Sequence, residues 1–219
     1  MPASAPEVEA LLSRLATLAA EAMPADADPA HDILHVRRVA ALARTISAAE
    51  GADPAVAVGA ALLHELVNLP KNHPESARSG DLCADAAAEL LAREGVEPGR
   101  AAAICACIRD HAFSKGVMPA SLEARVLQDA DRLDAIGAVG VARLFATCTA
   151  MRTPFYSEDD PMCRVREPED RRFGLDHFFK KLLKLPGGLH TGTARALAEP
   201  RARLMLDYLA QFEQELEGR

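Results

Sequence analysis

The stretch AVAVGAALLHELV, residues 55–67, decides the fold. Apart from one glycine and the adjacent pair His64-Glu65, every residue in it is apolar. A helix apolar on all sides is a buried one. Asp53-Pro54 precedes it, a capping side chain followed by a proline at the first helical position. The spacing therefore predicts a central helix with His64 and Glu65 near its end. Burying an imidazole and a carboxylate without partners is costly. A bound cation would satisfy both, so the other ligands are sought elsewhere in the chain.

The composition fits a helical frame around that element. The 219 residues suffice for one domain with a substantial core. Hydrophobic residues make up 49% and aromatics only 4%, with much Ala and Leu and few β-branched runs, which predicts an all-α protein. The net charge of −7 argues against general nucleic-acid binding. Cys83, Cys105, Cys107, Cys148 and Cys163 are scattered, odd in number and without a CxxC pair, as expected of reduced thiols. No leader-like N-terminus and no uncharged apolar run of about 20 residues is found, so the expected location is cytoplasmic, with no membrane span.

Outward from residues 55–67, further helices follow from apolar spacing and caps. Residues 6–22 form one. The next is expected from near Pro29, with Asp28 as cap, to Gly51; His35, Val39, Leu42 and Ile46 share its apolar stripe. After the polar loop LPKNHPESARSG comes a helix capped by Ser79 or Asp81 and ending before Gly95. Glu97-Pro98 opens another, ending near His111. Ser121 caps SLEARVLQDADRLDAIG, with a turn near Gly137 before GAVGVARLFATCTAM. Residues 152–171 read as a long charged loop. The helices FGLDHFFKKLLKL and TARALAEPRARLMLDYLAQFEQELE follow, the second kinked at Pro200, with His190 a candidate cap. Residues 1–150 are read as the core and residues 151–219 as a charged loop with C-terminal helices packing on it, within one structural domain.

Three segments offer metal ligands: His35, the His64-Glu65 pair, and the DADRLD run with Asp129, Asp131 and Asp134. Nitrogen and carboxylate donors together suit a divalent ion such as Mn, Mg, Fe, Co or Zn. Leu127, Asp131 and Asp134 share one helix face, which puts Asp131 on the core side. HELVN is not a zincin motif, because Asn68 stands where HExxH needs its second histidine.

His35 with VRRV behind it, LLHE, and QDADRLDAIGAVGVARLF together resemble the HD-domain superfamily of metal-dependent phosphohydrolases. The likeness extends to HDxxHxxRV at residues 31–39, a lysine soon after the metal pair at Lys71, and a KLL segment at 181–183. It covers roughly residues 25–210. The resemblance implies an all-α HD-type domain with a C-terminal helical extension and a metal held by His35, His64, Glu65 and Asp131. Glu65 departs from the pattern, which has Asp there, and is one methylene longer.

The implied activity is hydrolysis of a phosphoester or phosphoanhydride, with a nucleotide as the leading small substrate. Asp131 or Asp134 would receive the proton from water. Lys71, His111 and arginines of the 152–172 loop would neutralise phosphoryl charge, with Lys181 and Arg143 as weaker candidates. His31, one turn before His35, and Asp32 are assigned to supporting the ligands. Two alternatives remain open at this point. One is a degenerate HD module that binds metal or nucleotide without turnover. The other is a di-iron HD-type oxygenase with His31 or His111 as extra ligands. The apolar face of the last helix suits either a monomer's core or a homodimer surface.

Overall fold

The computed structural model describes residues 4–24, 31–67, 69, 74–75, 78–111, 116 and 118–219. Asp28, Asn68, Lys71 and His73 lie outside the described residues. Within them the chain is all-α, with helices and turns and no strand. No single helix among them is long and apolar enough to cross a membrane. The chain divides into two compact units, Met1–Asp131 and Arg132–Arg219. The division falls inside a continuous helix.

In the first unit, α1 (Ala5–Ala22) starts on a capping box, with Ser4 N–H donating to Glu7 Oε2 at 2.7 Å. It buries Leu11, Leu12, Leu15 and Ala19. α2 (Ile33–Glu50) is capped by Asp32, not Asp28, and ends at Gly51, whose φ of 77° closes the last turn. α3 (Pro54–Leu63) is the central helix. Asp53 caps it, and every residue from Ala55 to Leu63 is buried, as an all-apolar surface requires. It packs against α1, α2 and α5.

α3 ends one residue before His64, whereas the apolar pattern runs on to Val67. The turn that follows is closed by Leu66 N–H to Leu63 O at 3.3 Å. α4 (Ser79–Arg93) begins after Arg78, and neither Ser79 nor Asp81 caps it. α5 (Pro98–Arg109) is capped by Glu97, which accepts from Gly99 and Arg100 N–H at 2.8 Å each. α4 and α5 approach so closely at Gly80 that a Cβ there would lie 2.7 Å from the Arg109 carbonyl oxygen. α6 (Leu122–Asp134) starts on Ser121, whose Oγ accepts from Ala124 N–H at 3.1 Å. Its residues to Asp131 complete the first unit.

In the second unit, α7 (Gly137–Met151) packs against α9 (Gly192–Leu216). Gly137 has φ 79°, and a Cβ there would meet the Arg201 side chain at 3.0 Å. The expected helix 173–185 is broken into α8 (Asp176–Lys180) and a 3-10 stretch, Leu182–Gly188. Lys181, at φ −134°, interrupts the helical path, and Pro186 and two glycines leave only a tight turn beyond it. Thr191, not His190, caps α9, accepting from Ala194 N–H at 3.2 Å. α9 runs on through Pro200 as one element.

The 152–175 segment is tied down by its own hydrogen bonds. The Asp160 carboxylate accepts from the N–H groups of Arg164, Val165 and Arg166 at 2.9–3.2 Å. Arg166 makes a two-pronged pair with the buried Asp176, at 2.5 and 2.7 Å. Arg164 pairs with Glu213 at 2.7 Å. These two loop arginines therefore already hold carboxylates.

Candidate metal centre

The first unit brings four of the sequence-selected side chains together. His35 lies in the first turn of α2, its backbone N–H bonded to Asp32 Oδ1 at 2.9 Å. That cap aims the buried stripe of α2, which His35 heads, toward α3. His64 stands at the C-cap of α3. Asp131 lies on α6 four residues beyond the buried Leu127.

His35 Nε2 is the hub. It lies 3.2 Å from His64 Nε2, 3.6 Å from Asp131 Oδ1 and 3.7 Å from Glu65 Oε1. Glu65 Oε1 is 3.9 Å from His64 Nε2. Among the described residues, two donor groups satisfy the spacing for one ion: His35, His64 and Asp131, and His31, His35 and Glu65. Both histidines at the hub have side chains sealed from solvent, while Asp131 is 28% exposed and opens the site on its side.

The protonation of His64 can be read from its bonds. Nδ1 lies 2.7 Å from the Ala61 carbonyl oxygen, which can only accept. The proton therefore sits on Nδ1, and Nε2 is left to face His35. Burial pushes the His64 pKa down to about 4, and His35 and His111 add to this against the charges of Glu65 and Asp131. The ring is thus neutral at pH 7, the form that ligates a metal. His111 repeats the arrangement, with Nδ1 2.6 Å from Ile108 O and its ring 5.3 Å from that of His64, edge to face. In both cases a helix's last turn lends a carbonyl to orient an imidazole.

Glu65 is the most supported carboxylate. Burial opposes its ionisation, but the hydrogen bond with His31 Nδ1, at 2.9 Å, and the neighbouring histidines hold its pKa below the ordinary value. A charged carboxylate beside the neutral ring of His64 fits a divalent cation. Nitrogen and oxygen donors converge here, and the ring of His64 is already oriented for ligation.

The other selected residues fall elsewhere. Asp134 and Arg143 belong to the second unit, where Arg143 Nη1 donates to the buried Asp134 Oδ2 at 2.8 Å. Lys181 follows α8 in that unit. Lys71 is outside the described residues. Asp129 is fully buried on α6. Sequence reasoning missed the carbonyls of Ala61 and Ile108, the groups that orient His64 and His111. The only signal in the sequence was a histidine three residues beyond each, just past a helical run.

Comparison with known proteins agrees with this architecture. The HD-domain family model matches residues 33–136. YpgQ of Bacillus subtilis is 36% identical over 197 residues, covering 88% of each chain. The chain belongs to the HD-domain superfamily of hydrolases. A crystal structure of B. subtilis YpgQ in complex with ADP superposes with a TM-score of 0.74 at 33% identity, covering 94% of this chain and 98% of that one. An HD-superfamily hydrolase from Bacillus thuringiensis does so with a TM-score of 0.74 at 32% identity, over 97% and 100%.

Proposed function

We propose that this protein is a metal-dependent phosphohydrolase acting on a nucleotide. The observation that carries the reading is the gathering of His64, Glu65 and Asp131 around His35 Nε2. Those four residues would hold a divalent cation. When bound, the ion supplies positive charge that polarises a phosphoryl oxygen and acidifies a water molecule.

The chain's own residues do the rest. His35 and His64 present buried ring nitrogens, and Glu65 and Asp131 balance the charge. Asp131 is the carboxylate assigned to take the proton from water, because it is partly open to solvent while Asp134 is buried and ion-paired with Arg143. His111, whose Nδ1 donates to Ile108 O, keeps Nε2 for the substrate; carrying a second proton there, it would donate to a substrate phosphate or pass that proton to the leaving oxygen. Lys71 is assigned to phosphoryl charge on sequence grounds. Arg143 and Lys181 stay weaker candidates for substrate contact. The ADP held by YpgQ supports a nucleotide as the substrate class.

The test is release of phosphate and of pyrophosphate from a panel of nucleotides and small phosphomonoesters with added Mn²⁺, beside Asp131→Ala. Turnover lost in chelator and in the variant supports the reading, and the product names the bond. Metal that binds without any turnover would instead favour a binding module, and consumption of O₂ with iron would favour an oxygenase.

A further inference from the structure

We infer that His31 is the positioning residue for Glu65, holding this longer carboxylate in register with the two buried histidines. The inference rests on the metal reading above.

Glu65 lies beyond the last residue of α3, in a turn, so no helical backbone restrains it. Its side chain has three rotatable bonds, and a ligand that swings freely binds poorly. Of the three histidine nitrogens near Oε1, only His31 Nδ1, at 2.9 Å, is at hydrogen-bond distance. The other two, at 3.7 and 3.9 Å, are spaced like ligand atoms around a shared ion. A carboxylate can only accept, so His31 donates from Nδ1. His31 is itself placed, just before the Asp32 cap of α2, with its ring edge-on to that of His35 at 5.6 Å. The entry to α2 thus supplies both a ligand, His35, and the group that orients a second ligand in the turn after α3.

The length of Glu65 matters to this contact. Shortening it to aspartate withdraws the carboxylate by about one C–C bond, ~1.5 Å. A 2.9 Å hydrogen bond does not survive that retreat. The benefit from His31 is therefore conditional on glutamate at position 65.

The experiment measures Co²⁺ affinity by chelator competition, and the Co²⁺ visible spectrum. The proteins are wild type, His31→Ala, His31→Asn, Glu65→Asp and the double variant His31→Ala/Glu65→Asp, each checked for native helicity. The amide nitrogen of asparagine falls nearly where histidine carries Nδ1. His31→Ala should weaken Co²⁺ binding roughly 10- to 100-fold and alter the spectrum. His31→Asn should restore most of both. In the Glu65→Asp background, His31→Ala should have little further effect. The inference is overturned if His31→Ala changes neither reading, or if its effect persists undiminished in the Glu65→Asp background. It is also overturned if His31→Asn loses as much as alanine, which would make His31 a ligand instead. Wild-type protein that takes up no Co²⁺ would sink the metal reading itself, and this inference with it.

Discussion

His35 Nε2 and His64 Nε2 face each other across 3.2 Å in the sealed interior of the first unit. Since His64 gives its one ring proton to Ala61 O, it meets His35 with a lone pair. Either His35 donates a proton across that gap or a cation takes its place. A cation held there binds the native state alone, so it stabilises by mass action. At a hundred times its Kd the gain is about 2.7 kcal/mol. For a chain of this size that is roughly 5–10 °C in Tm. Thermal melts of chelator-treated protein with and without Mn²⁺ should show that rise, and His64→Ala should abolish it.

His111 uses the same carbonyl device as His64, yet neither donor group that fits one ion includes it. Its proposed work is on the substrate. His111→Ala should keep metal affinity close to wild type while lowering kcat by about 10²- to 10⁴-fold. A parallel loss of metal binding would move His111 into the ligand set.

Much of this arrangement was legible in the chain, for local reasons. Asp53-Pro54, Glu97-Pro98 and Ser121 are caps whose chemistry acts within three residues, and all three start helices as expected. His35 and Asp131 could be placed on core faces because helical period alone decides that. What escaped depends on distance or on competition. LLHELV looks the same whether a helix continues or stops, and α3 stops where His64 turns back onto Ala61 O. The expected cap of α2 was Asp28, but Asp32 takes that place and meets the His35 N–H. The His31 contact with Glu65 joins residues 34 apart, and no local pattern announces it. The arginines of the charged loop looked available for substrate. Arg164 and Arg166 are instead paired with Glu213 and Asp176.

The contact between α4 and α5 leaves no room at Gly80. A methyl group there would press to 2.7 Å on the Arg109 carbonyl oxygen, which is backbone and cannot swing away. Gly80→Ala should therefore destabilise by about 1–3 kcal/mol, despite the better helix propensity of alanine. Urea unfolding should show a lower midpoint at unchanged slope. A neutral or stabilising result would mean that the two helices separate easily.

Asp176 is buried without exposure and holds both Arg166 and the Glu169 N–H, at 2.6 Å for the latter. Burial alone would raise its pKa, but the Arg166 hydrogen bonds and the Glu169 N–H outweigh it and hold the carboxyl below the ordinary value. The unfolded chain therefore binds this proton at higher pH than the folded one. The stability from the pair is complete above the unfolded pKa, about 3.9, and is lost as pH falls through the lower folded value. Asp176→Asn keeps the shape but leaves Arg166 facing a neutral amide, so it should cost about 3 kcal/mol at pH 7. Denaturant midpoints of the two proteins should differ by a constant amount from pH 7 to about 5 and converge at more acid pH. A gap that stayed open at the lowest pH would mean that packing around Asp176, rather than its charge, fastens the 152–175 segment.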